Sequence, residues 1–152
     1  MIKYAPIDKN KIRNMIVDIQ ENINQLSELS KLTLEEFKSD KKNYGLAEHY
    51  LRRSLEGILT IGTHFLSRLP VKTKDYQEII TALAKQKIIP KDFAERNKKL
   101  AGYRNRLVHM YWEVSEEEMH QVINDYLNDL DKFCEYFQQT LQNPEKFGLK
   151  IE

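Results

Sequence analysis

From Ser115 to Asn143 the chain places Met119, Val122, Ile123, Tyr126, Leu127, Leu130, Phe133, Cys134, Phe137 and Leu141 at short helical steps, with no glycine or proline between them. That spacing lays one apolar stripe along a long helix. A stripe of this length is stable only when other helices cover it. Ser115 is placed to cap this helix, and Glu116, Glu117 and Glu118 suit the positive end of its dipole.

The covering helices are legible upstream. Ile12, Met15, Ile16, Ile19, Ile23 and Leu26 mark a first helix over about Asp8 to Leu29. Thr33 with Glu36 forms a capping box for a short turn through Phe37. A second long helix starts between Lys41 and Tyr44 and runs to about Leu69, where Pro70 is expected to stop it. Its main stripe is Leu51, Leu55, Ile58, Leu59, Gly62, Phe65 and Leu66, while Leu46, Tyr50 and Ile61 suggest a second buried side. A shorter helix is expected from Lys74 to Ile88, and another from Lys91 to Met110. With only five glycines and four prolines in 152 residues, the expectation is an all-α antiparallel helical bundle of four main helices plus a shorter one. Residues 1–144 read as one domain and 145–152 as a loosely held tail.

Cys134 is the only cysteine and falls on the apolar stripe, so it reads as a core residue in a reducing compartment. No run reaches the length of a membrane-spanning helix. The first residues lack the apolar stretch of a signal peptide. A cytoplasmic protein is expected, with no membrane partner. No cofactor motif and no metal-ligand spacing occurs.

The net charge of +1 hides an asymmetry. Lys85, Lys87, Lys91, Arg96, Lys98, Lys99, Arg104 and Arg106 form a basic stretch opposed only by Asp92 and Glu95. Glu113, Glu116, Glu117, Glu118, Asp125, Asp129, Asp131 and Glu135 form an acidic one opposed only by Lys132. The basic stretch can attract phosphate, or the two segments can be neighbouring helices whose charges complement each other.

Arg104 is out of place. On a helical wheel Phe93, Asn97, Leu100, Ala101, Leu107 and Val108 lie within about 60° of it, so a guanidinium sits in the face that should enter the core. It can pair internally, with Glu56 or an acid of the last helix. It can snorkel, or its face can open into a cleft that receives an anion. His109 lies about 140° further round an ideal helix. For the two to act on one group, the helix must end near His109 or two copies of the chain must meet. His49, His64 and His120 read as structural, with His49 and His120 at the surface.

The segment Arg104-Asn105-Arg106-Leu107-Val108-His109-Met110-Tyr111 resembles the R-N-x-x-V-H-x-Y motif of HepT-like toxins in the HEPN superfamily. The layout agrees over about residues 10–140, and Tyr50 to His64 is similar to the family's second long helix. The resemblance implies a homodimer with two motifs lining a cleft. It implies a metal-independent endoribonuclease toxin of a type II toxin–antitoxin system. It also implies a cognate minimal nucleotidyltransferase antitoxin that silences the toxin by AMPylation of Tyr111. Arg104 and His109 would then be catalytic, with Asn105 and Tyr111 supporting, RNA the substrate and no cofactor needed. Two other readings stand beside it. The bundle could bind nucleotide or present substrate to a nucleotidyltransferase without cutting RNA, or serve as a helical interaction adaptor.

Overall fold

The computed structural model describes residues 4–109 and 114–150. Six α-helices follow in order: α1 Lys9–Ser30, α2 Leu34–Ser39, α3 Lys41–Leu66, α4 Tyr76–Lys85, α5 Lys91–Val108 and α6 Glu116–Gln142. A 3-10 helix at Pro144–Phe147 closes the described chain, and no β-strand occurs among the described residues. The chain is the expected all-α bundle.

The helix starts are set locally. Asp8, Thr33, Asp40, Asp75 and Ser115 each accept a backbone N–H from the first turn of the helix they precede. These bonds satisfy donors that a helix start otherwise leaves unpaired. Thr33 and Glu36 form the reciprocal capping box read from the sequence.

Helices α1, α3 and α6 pack against one another, and α4 and α5 form a hairpin against α3. The centre is aromatic. Phe137 of α6 meets Phe65 of α3 at 5.7 Å between ring centroids, and Phe133 meets Phe93 of α5 at 4.6 Å. Two glycines set how closely α3 is approached. A Cβ on Gly57 would stand 2.6 Å from Ile19 Cγ1, and one on Gly62 would stand 2.9 Å from Ile79 Cγ2. Neither contact leaves room for a methyl group.

Four expectations need correction. Helix α3 ends at Leu66, before Pro70. Its late carbonyl at His64 accepts from Ser67 Oγ and Arg68 Nη1, so side chains close this helix end ahead of the proline. Leu46 is 44% exposed while Ile61 is fully buried; the second buried side of α3 begins only where the α4–α5 hairpin covers it. Helix α4 is shorter than expected at both ends, because Asp75 caps it and Lys87 turns the chain with φ 63°. Residues 144–150 are docked: Pro144 and Leu149 are buried, and the Ile7 amide donates to the Lys150 carbonyl at 2.8 Å. Leu149 supplies an apolar anchor that holds the segment on the bundle.

Candidate active site at the exit of the fifth helix

The α4–α5 hairpin turns tightly. The Ile88 amide donates to the Leu83 carbonyl at 2.9 Å across the left-handed Lys87, a Schellman-type closure. Helix α4 then has 10 residues and α5 has 18. Folding back therefore brings Tyr76, the first residue of α4, beside the last turns of α5. There Arg104 Cζ lies 4.5 Å from the Tyr76 ring centroid. Arg104 is half-buried, and its Nη1 donates to Asn105 Oδ1 at 3.3 Å.

The other two arginines of α5 are spent differently. Arg96 donates Nε and Nη2 to the two oxygens of Asp129 at 3.0 and 2.9 Å. Arg106 donates Nη1 and Nη2 to Glu118 at 2.7 Å each. Both carboxylates belong to α6, so the charge complementarity of the two segments holds at these positions. Two-pronged pairs of this kind match the planar guanidinium fork. The Arg106 guanidinium holds the Glu118 carboxyl below the usual carboxylate range. Tyr103 also donates its hydroxyl to Glu118, and burial, with that bond second, pushes its pKa to about 12. Lys98 pairs with Glu95.

Arg104 has no carboxylate partner among the described residues, and Glu56, named from the sequence as a possible one, faces Arg52 at 3.7 Å. Internal pairing therefore does not explain Arg104. Its position on the flank toward α4 does: one face of the guanidinium lies on an aromatic ring, a favourable cation–π contact. Lys85, Lys87, Lys91 and Lys99 likewise lack ion pairs among the described residues. The basic stretch thus divides into residues neutralised by acids and residues still able to attract an anion.

His109 is the C-cap of α5, with φ −92° and ψ 5°, and its backbone N–H donates to the Asn105 carbonyl at 3.0 Å. The helix does end at His109, the first of the two conditions set by the wheel. The side chains of Asn105 and His109 are exposed. The structure brings Arg104 and Asn105 together within one chain. It shows no contact between Arg104 and His109 among the described residues. Met110 and Tyr111 lie outside the described residues.

Two of the remaining histidines make structural hydrogen bonds. His64 accepts the Asp8 amide at Nε2, and burial, then Arg68 and Lys11, lowers its pKa to about 4. His120 is half-buried rather than on the surface: its Nε2 is 2.7 Å from the Leu32 carbonyl and its ring packs on Phe37. His49 is exposed as expected. Cys134 is fully buried, and burial pushes its thiol to about 12, which makes it unreactive. Among the described residues no group of three or more His, Cys, Asp or Glu is placed to hold a metal. No helix there is long and apolar enough to cross a membrane.

Sequence reasoning missed Tyr76. The signal was the hairpin itself, since any antiparallel α4–α5 pair sets the first turn of one beside the last turns of the other. It also missed the Tyr103–Glu118–Arg106 cluster, in which two neighbours on α5 meet a carboxylate of α6 where one helix leaves and the other begins.

A family model described as Ribonuclease HepT-like matches residues 19–137. No curated protein matches the chain. Three solved structures share the fold. A cytosolic protein of unknown function, YutE from Bacillus subtilis, is 20% identical with a TM-score of 0.79, over 93% of this chain and 94% of that one. A tri-AMPylated Shewanella oneidensis HEPN toxin in complex with MNT antitoxin is 24% identical with a TM-score of 0.73, over 84% and 96%. A toxin–antitoxin with AMP-PNP is 23% identical with a TM-score of 0.72, over 84% and 97%.

Proposed function

The chain belongs to the HepT-like ribonuclease family, and from that premise we propose that it is a metal-independent endoribonuclease toxin acting through Arg104 and His109. The observation that carries this reading is the contrast on α5. Arg96 and Arg106 are each closed off by a carboxylate, whereas Arg104 keeps the edge of its fork clear of carboxylates among the described residues. An arginine held in place without a counter-charge is suited to the oxygens of a phosphodiester.

In the reaction the 2′-oxygen of one ribose attacks the neighbouring phosphorus. The 2′-proton goes to a base, the bond from phosphorus to the 5′-oxygen breaks, and that oxygen takes a proton. The products are a 2′,3′-cyclic phosphate and a 5′-hydroxyl. Histidine titrates near neutrality and can serve at either proton transfer. Arg104 stabilises the negative charge that builds on the phosphoryl oxygens, and Asn105 orients Arg104 or a phosphate oxygen. In one chain Arg104 and His109 make no contact with each other. A two-fold homodimer with α5 near its axis supplies both residues to one cleft from two copies.

Control by a cognate minimal nucleotidyltransferase antitoxin that AMPylates Tyr111 completes the reading. The shared fold with a tri-AMPylated HEPN toxin in complex with MNT antitoxin supports it. An AMP group two residues beyond His109 would bring a phosphate to Arg104 and block the site by charge and bulk.

The test is to incubate purified protein with RNA in excess chelator, beside His109→Ala. The wild type should leave cyclic-phosphate ends, and the variant should lose about 10²- to 10⁴-fold in rate. Because His109 is exposed, the variant should stay folded. Equal rates would remove His109 from the mechanism, and an inactive wild type would favour a partner that binds without cutting. Co-expression with the antitoxin and intact-mass analysis should show added AMP on wild type and none on Tyr111→Phe.

A further inference from the structure

We propose that Tyr76 is a positioning residue of the ribonuclease site: its ring carries the Arg104 guanidinium and holds the open edge of the fork toward the scissile phosphate. The inference rests on the ribonuclease reading and adds to it a residue from α4, outside the motif.

Three observations carry it. The guanidinium carbon of Arg104 stands 4.5 Å from the Tyr76 centroid, nearer than in the other arginine–ring contacts of α5, at 5.5 and 5.4 Å. Those two arginines rest on rings three residues earlier in their own helix, Phe93 and Tyr103. The equivalent position before Arg104 is Ala101, so its ring must come from another element. Finally, Arg96 and Arg106 are each fixed by two-pronged bonds to a carboxylate, a device that would neutralise the charge Arg104 needs. An aromatic face fixes the plane of a guanidinium while leaving its charge and its N–H edge available to an anion. A loose arginine would lose side-chain entropy on meeting the transition state. One already lying on a ring loses less.

The role is in the plane of the ring and not in the phenol oxygen. Tyr76→Phe should keep kcat within about twofold of wild type. Tyr76→Leu keeps an apolar, smaller side chain without a π face and should lower kcat about tenfold, with a smaller change in KM. In an Arg104→Ala background Tyr76→Leu should cause no further loss, because the residue acts through Arg104. Full kcat in Tyr76→Leu, or a full loss added to that of Arg104→Ala, would overturn the proposal. A 2′-O-methyl RNA oligomer, which cannot be cut, separates this inference from the ribonuclease reading. If the wild type cleaves no RNA, the ribonuclease reading fails and affinity for this oligomer decides the role of Tyr76. Several-fold weaker binding by Tyr76→Leu but not Tyr76→Phe supports it, and equal binding overturns it.

Discussion

Acid should weaken this bundle through one buried histidine, starting near pH 6.5. His64, only 9% exposed, accepts the Asp8 backbone N–H at Nε2, at 3.2 Å. A backbone amide can only donate, so Nε2 must carry its lone pair and the ring must be neutral. Protonation would set a donor against a donor, beside Arg68 and Lys11. Burial first, and those two cations next, depress the folded pKa from 6.5 to about 4, with only Asp8 pulling the other way. A depressed folded pKa means that the stabilisation is complete above the unfolded value and fades as pH falls toward the folded one. Below pH 6.5 the unfolded chain takes a proton that the folded chain refuses. The slope approaches about 1.4 kcal/mol per pH unit, and the loss between pH 8 and 4.5 comes to about 2.5 kcal/mol. Glu117 and Glu118, lowered from 4.5, begin to add their own loss only at the acid end of that window. The assay is urea unfolding of wild type and His64→Gln at half-unit intervals from pH 8 to 4.5. The variant should start less stable and lose less as pH falls. Parallel curves, or a His64 titration by NMR centred near 6.5, would refute the reasoning.

Three further outcomes follow from packing and backbone geometry. Gly57→Ala drives a methyl group into Ile19 at 2.6 Å, and thermal unfolding should show a loss of about 1–3 kcal/mol. Lys87→Gly relieves a left-handed residue at φ 63° and should raise stability by about 1 kcal/mol in the same assay. Leu149→Ala empties a buried site near the end of the chain; chemical denaturation should show about 2–4 kcal/mol lost, whereas a loosely held tail would lose almost nothing.

The helices were legible because their signals are local. Thr33 with Glu36 and Ser115 with its three glutamates mark starts, and the α6 stripe names a buried face with a spacing that no strand reproduces. Ends were harder to read. Pro70 was an obvious stop, but Ser67 and Arg68 close α3 first, through side chains whose direction the sequence does not fix. Leu149 was missed because one apolar residue in a polar tail carries no periodicity. At the site, the wheel identified Arg104 as anomalous, and the hairpin explains why: the face is buried at Phe93, Asn97, Leu100, Ala101 and Leu107, but at Arg104 it meets Tyr76 of α4. Carboxylate pairing to Arg96 and Arg106 depends on how α5 and α6 register. Charge counts allowed the segments to complement each other, but could not say which arginine would be left over.

The hydrogen bond between Ile7 and Lys150, together with the packing of α1 on α6, bears on how the protein is made. These contacts join segments far apart in sequence, so they carry a large loop-closure entropy. During synthesis α1 can meet α3 first, but the side of α1 that packs on α6 stays uncovered until α6 has left the ribosome. The bundle is therefore unfinished until α6 has been made. Any activity that needs α5 held between α4 and α6 begins only once α6 has folded onto the bundle.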